Sequence, residues 1–129
     1  MKPGMPQAFG VVGGKPVFGL PGNPVSSLVV FDQFVRPALR KMAGHRALLR
    51  PRFQALAAES IQKTAGKVHF IRAIVENKAG ILYARTTGPQ GSGILRSLVL
   101  ANALLILERD RTRVAPGEPV TVELLGPPR

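Results

Sequence analysis

The sequence predicts a mixed fold: a strand–loop–helix unit of α/β character over residues 1–45, then a small all-β barrel over residues 46–129. Three observations predict it. Apolar residues recur at intervals of three and four from Val25 to Met42, which is the period of one helical face. Beyond Gly44, short apolar runs alternate with Gly, Pro, Asn and Thr clusters, the grammar of a small barrel or sandwich. The composition can support a core, since 45% of the 129 residues are apolar, while 14 Gly and 12 Pro punctuate the element ends.

Taken in order, Lys2-Pro3-Gly4-Met5-Pro6 is loop chemistry. Ala8 to Val12 is a short apolar run, and Gly13-Gly14 is a hairpin turn signal. Lys15 to Leu20 reads as a buried strand, with Pro16 tolerable near its first position, and Pro21-Gly22 ends it. Asn23-Pro24 starts a helix: Asn is a favoured cap, and Pro suits the first helical position because its missing N–H would be unpaired there. The helix is expected to run to Ala43 with one broad buried face of Val25, Leu28, Val29, Phe31, Phe34, Val35, Ala38, Leu39 and Met42. Pro37 should bend it, because the carbonyl of Gln33 loses its donor. Gly44 closes it, with Arg40 and Lys41 suited to the C-terminal dipole.

His45 to Pro51 is a basic connector. Strands are expected at Phe53 to Ala58, Val68 to Glu76, Ile81 to Thr87, Asn102 to Glu108 and Val120 to Leu125, with alternation clearest in Val68 to Ile74 and Val120 to Leu124. Ile94 to Val99 is read as a helical turn, and Glu108 to Arg113 as a surface turn. A strand–helix unit of about 45 residues cannot bury both faces of its sheet. The first block is therefore expected to dock on another chain or to be the C-terminal end of a longer protein, and truncation is the reading preferred.

Composition also excludes. With no cysteine, disulfides, zinc–cysteine sites and thiol nucleophiles are ruled out. Two His and seven acids, none at ligand spacing, argue against a protein-built metal site. Ser26, Ser27, Ser92 and Ser97 lack a His/Asp pairing for a hydrolase triad. There is no membrane-length apolar run and no signal-peptide pattern, so a soluble, cytoplasmic protein is expected. The balance of 18 Lys+Arg to 7 Asp+Glu gives +11, which favours an anionic partner. Much of that charge lies in the run Arg36, Arg40, Lys41, Arg46, Arg50 and Arg52, read as a solvated face.

Gly19-Leu20-Pro21-Gly22-Asn23-Pro24 joins a strand end to a helix start, where main-chain N–H groups can face an anion and Ser26 and Ser27 add hydroxyls. An ordinary tight βα turn with an Asn cap explains the same residues. Gly88-Pro89-Gln90-Gly91-Ser92-Gly93 could cradle an anion through its N–H groups, or be only a turn. Arg72 sits within a hydrophobic alternation, where an outward-facing strand position is the simpler reading. His45 and His69 read as a boundary residue and a solvent-facing strand residue.

As strings, Lys2-Pro3-Gly4, residues 19–26, Phe34-Val35-Arg36-Pro37-Ala38-Leu39, Val68 to Arg72, Thr86 to Ser92 and Leu100 to Leu104 resemble the molybdenum insertases, the family of bacterial MoeA and the gephyrin E domain. The resemblance covers essentially the whole chain. It implies the C-terminal strand–helix tail of a molybdopterin-binding α/β/α domain followed by a C-terminal β-barrel domain. It further implies insertion of molybdate into adenylylated molybdopterin with release of AMP. By the same resemblance, Lys2, Pro21, Gly22, Asn23, Pro24, Ser26, Arg72, Gln90, Gly91 and Ser92 bind substrate or molybdate, while Met5 stands where many members carry a second lysine. The acidic catalytic residues and Mg²⁺ contacts of the family belong upstream, so no catalytic residue is assigned here and the chain alone is expected to be inactive. Implied partners are small anionic substrates, a second copy in a homodimer, the upstream portion of the enzyme, and molybdopterin adenylyltransferase.

The competing reading is a basic β-barrel module that binds nucleic acid. Charge favours it, but single-strand binding needs aromatic stacking platforms, and only Phe53, Phe70 and Tyr83 lie in the barrel region.

Overall fold

The computed structural model describes residues 3–4, 7–22, 24–88 and 99–129. It opens with a hairpin of β1 (Ala8–Val12) and β2 (Lys15–Gly19), paired antiparallel with Val12 opposite Lys15. Gly13 and Gly14 both take positive φ, 58° and 78°, which the twist-matched two-residue hairpin turn demands. Phe9 and Phe18 face each other across the pair, ring centroids 5.1 Å apart.

The helix that follows has three parts: α1 (Pro24–Val30), a π-helical turn at Phe31–Val35, and α2 (Arg36–Met42). The bend expected at Pro37 is realised as that wider turn, in which the Arg36 N–H donates to the carbonyl of Phe31. One extra residue in the ring lets the ladder pass the position where proline has no donor. Gly44 ends the helix as expected. Its φ is +85°, the His45 N–H donates to the Arg40 carbonyl (2.9 Å) and the Gly44 N–H to Lys41 (3.0 Å).

Two burial expectations for this block are corrected. β2 is a strand but is largely exposed, as is β1, and Phe9 has 67% of its surface accessible. The helix buries only part of its apolar face: Val25, Val29, Val30 and Val35 are covered, whereas Leu28, Phe31, Phe34, Leu39 and Met42 are exposed. A two-stranded sheet and one helix offer too little partner surface to cover both.

The second block is a closed barrel of β3 (Arg52–Ala57), β5 (His69–Lys78), β6 (Ile81–Thr86), β7 (Ala103–Leu107) and β9 (Pro119–Leu124), in the order β3-β6-β5-β7-β9. These five strands match the five expected from the sequence to within two residues at each end. A small antiparallel pair, β4 (Ile61–Gln62) with β8 (Arg113–Val114), was not expected; each strand is too short to carry a pattern. All barrel pairings are antiparallel except β3 with β6, where Leu56 meets Tyr83 and Ala57 meets Ala84. Five strands enclose little space, and the interior is accordingly lined by Ala55, Ala57, Ala73, Ala84 and Ala103 beside Ile71, Val75, Leu105, Leu107, Val120 and Val122.

Alternation predicts one wet face on β5, but residues 71–75 are all buried, as are residues 103–107 of β7. Both faces of these strands are covered, so their sequences read as near-continuous apolar runs. Asn102 pins the start of β7 with its side chain: Oδ1 accepts from the Val75 N–H (2.7 Å), and Nδ2 donates to the carbonyls of Val75 (3.0 Å) and Pro127 (3.1 Å). Of the turn expected at Ile94 to Val99, residues 94–98 lie outside the described residues, and Val99 and Leu100 are helical.

Candidate functional site

The expected site falls on two parts of this fold. One is the connection from β2 into α1. Pro21 is buried there, Gly22 is exposed, and Pro24 opens the helix. Ser26, in the first turn, has only 5% of its surface accessible, so its hydroxyl belongs to the interior face of the turn. Burial of Pro21 and Ser26 fixes this bend from its inner side, leaving Gly22 as the exposed point of backbone.

The other part is Arg72, at the centre of β5. Strand alternation sends its side chain out of the barrel, opposite to Ile71 and Ala73, as the simpler reading of the sequence held. It is nevertheless fully buried, with 0% accessible surface, which that reading did not foresee. Desolvation holds its pKa below the ordinary arginine value. Strand register extends a row across the outer face from this residue: Arg72 lies opposite Leu104, Leu104 opposite Glu123, and Glu123 opposite Arg52. Lys2, Asn23, Gln90, Gly91 and Ser92 lie outside the described residues.

The row also contains a buried carboxylate that sequence reasoning passed over. Glu123 is 4% accessible. Its Oε2 accepts from Arg52 Nε at 3.3 Å, and its Oε1 accepts from Gln33 Nε2 at 3.2 Å. Asp32 Oδ1 accepts from Arg50 Nε at 2.8 Å. Arg50 and Arg52, read as part of a solvated basic face, are instead committed to carboxylates; Arg40 likewise donates from Nε to the Ala47 carbonyl at 2.7 Å. One acid within the apolar alternation of Val120 to Leu124, in a chain with only seven, was the available signal for Glu123.

The three barrel aromatics do not form a stacking platform. Phe53 has the strand parity of the interior residues Ala55 and Ala57, whereas Phe70 and Tyr83 have the outward parity. Tyr83 is instead covered by Lys78, whose Nζ stands 5.7 Å from the ring centre. Among the described residues, no group of three or more His, Asp or Glu could hold a metal ion, so the Mg²⁺ implied by the resemblance finds no ligand set there. Nor is any helix among them long and apolar enough to cross a membrane.

Residues 54–125 match the MoeA C-terminal region (domain IV), and residues 1–41 match the family described as a probable molybdopterin binding domain. The chain is 38% identical over 125 residues to the molybdopterin molybdenumtransferase of Haemophilus influenzae, covering 95% of this chain and 31% of that protein. It is 43% identical over 122 residues to molybdopterin molybdenumtransferase 2 of Mycobacterium tuberculosis, covering 95% and 30%. The crystal structure of the molybdopterin biosynthesis MoeA protein from Pyrococcus horikoshii superposes with a TM-score of 0.74 at 35% identity, covering 95% of this chain and 30% of that one. The chain thus spans under a third of the length of these relatives. None of these matches favours the nucleic-acid reading.

Proposed function

The chain belongs to the MoeA C-terminal region (domain IV) family, whose relatives are proteins of molybdenum cofactor biosynthesis, and on that premise we propose that it supplies part of an oxyanion site used when molybdate is inserted into adenylylated molybdopterin with release of AMP. The observation that carries the reading is Arg72: a guanidinium fully withdrawn from solvent, in a chain whose similarity to molybdopterin molybdenumtransferases runs through both blocks.

Molybdate is a tetrahedral dianion and is the substrate. Arg72 offers it a fixed positive charge in a poorly solvated setting, where a charge-assisted bond is stronger than in water. The bend at Pro21 and Gly22 offers the main-chain N–H of Gly22 before the opening of α1, with Lys2, Asn23, Pro24, Ser26, Gln90, Gly91 and Ser92 completing the set that the family pattern assigns. Together they hold the anion against the dithiolene, so catalysis rests on proximity and charge neutralisation. The described residues offer no ligand set for a Mg²⁺ ion. Two domains, 1–45 and 46–129, cytoplasmic location, a homodimer, and contact with an upstream portion or with the molybdopterin adenylyltransferase belong to the same proposal.

The test is genetic. In a bacterial strain deleted for its molybdenumtransferase, this chain is expressed alone and fused behind the upstream two-thirds of the Haemophilus influenzae relative. The fusion is expected to restore molybdoenzyme activity, the chain alone to restore almost none, and Arg72→Met in the fusion to abolish the rescue. A folded fusion that restores nothing, or one unaffected by Arg72→Met, refutes the proposal.

A further inference from the structure

The π-helical turn carries two polar residues, Asp32 and Gln33, and both reach away from their own helix. Gln33 bonds to buried Glu123 on β9, and Asp32 pairs with Arg50 in the segment that leads into β3. Gln33 Nε2 also lies 3.4 Å from Asp32 Oδ2, which joins the two links. A π turn is an unusual backbone state and commonly marks a place where side-chain direction matters. Here the extra residue advances the ring so that two successive polar side chains both engage the second block.

We propose that Gln33 and Glu123, braced by Arg52 and by the Asp32–Arg50 pair, are positioning residues that clasp the helix to the outer face of the barrel and thereby set the spacing between the bend at Pro21-Gly22 and Arg72. The placement supports this. Gln33 lies nine residues, about 14 Å, along the helix from Pro24. Glu123 lies two strands, about 10 Å, from Arg72 in the same register row. The clasp therefore ties the helix that begins at the bend to β9, which stands two strands from β5 and Arg72 in the same sheet. Connector residues 43–47 are exposed and cannot fix that spacing by packing. A buried carboxylate in this position is costly unless paired, so Glu123 favours the arrangement in which Gln33 and Arg52 both meet it.

This inference rests on the proposed site for its functional meaning, but its mechanics can be tested separately. The chain has no cysteine, so Lys41→Cys on α2 and Lys67→Cys in the exposed turn before β5 admit a pair of spin labels cleanly. The parent should give one narrow distance distribution. Gln33→Ala and Glu123→Ala should broaden it about twofold or more as the helix gains freedom on the barrel. Glu123→Gln keeps an acceptor for Gln33 and should restore the narrow distribution. Thermal unfolding of each variant checks that the barrel itself remains folded. Equilibrium dialysis with molybdate supplies the second readout, where Gln33→Ala should weaken binding about tenfold with little change in Tm. Narrow distributions in both alanine variants overturn the clasp. If the parent binds molybdate and Gln33→Ala binds it equally, the positioning role is overturned. If the parent binds no molybdate, the site reading fails, and the distance distributions still decide the clasp.

Discussion

Replacing Asn102 by alanine should destabilise the barrel well beyond what the size of the change suggests. The Asn102 side chain occupies the place of a strand residue beside β5, where the ladder to β7 has ended at Ala73 opposite Ala103. Its amide takes the Val75 N–H at 2.7 Å and gives to the Val75 and Pro127 carbonyls at 3.0 and 3.1 Å. The Val75 carbonyl keeps a second donor in the Arg129 N–H at 2.9 Å. The Val75 N–H loses the partner described for it, inside a residue with no accessible surface. A stranded buried donor costs about 1–3 kcal/mol and each of the two other lost bonds about 1 kcal/mol, so a total of about 3–5 kcal/mol is expected. For a chain of this size that corresponds to a fall in Tm of about 12–20 °C. Urea unfolding gives the free energy, and amide exchange gives the local signature: the Val75 N–H should lose its protection before neighbouring barrel amides do. Asn102→Leu discriminates the cause, because it fills the volume but satisfies nothing. If Asn102→Leu matches the parent in stability, the loss in the alanine variant is a cavity effect and the hydrogen-bond reasoning is wrong.

Further outcomes follow from the same structure. Leu105→Ala, at a fully buried interior position, should cost about 2–5 kcal/mol by urea unfolding, since a five-stranded interior has little room to collapse around the void. Ala79 holds a φ of +54° in the two-residue turn between β5 and β6; Ala79→Asn creates the preferred Asn-Gly pair with Gly80 and should stabilise by about 0.5–1 kcal/mol in calorimetry. Burial lowers the pKa of the Arg72 guanidinium. The lowered pKa means the folded form releases that proton at lower pH than the unfolded chain does. Stability linked to Arg72 thus rises only as pH climbs from the lowered value toward the ordinary arginine value, so urea unfolding of the parent and of Arg72→Met should show their difference changing with pH in that interval alone.

The strands of the barrel were legible because each combines an apolar run with flanking Gly, Pro or Asn, and the helix because Asn23-Pro24 and Gly44 mark its ends. Burial was less legible than element type. β1 and β2 carry Phe9, Val11, Val12 and Val17, which in isolation signal a covered strand, but cover is a property of what lies alongside and a local string does not contain it. Arg72 illustrates the converse: its outward parity was readable, while its complete burial depends on tertiary packing over the β5 surface. The clasp was invisible for a related reason. Gln33 and Glu123 are 90 positions apart, and neither belongs to a pattern that points at the other. Residues 19–26 and Arg72 stood out only as strings resembling a family; their physical features alone are shared with ordinary turns and strands.

The parallel pairing of β3 with β6 also shapes how the barrel comes into being. β3 has no hairpin neighbour: its partners begin at Ile81 and at Pro119, so both of its edges wait on distant chain. β5 and β6 can zip locally through the two-residue turn at Ala79-Gly80, whereas β3 must be held loose until Leu124 has been synthesised and β9 is available. Such late, long-loop joining is slow. It leaves Arg52–Ala57 as an unpaired strand during translation, the segment most exposed to wrong pairing and the one a chaperone would most usefully shield.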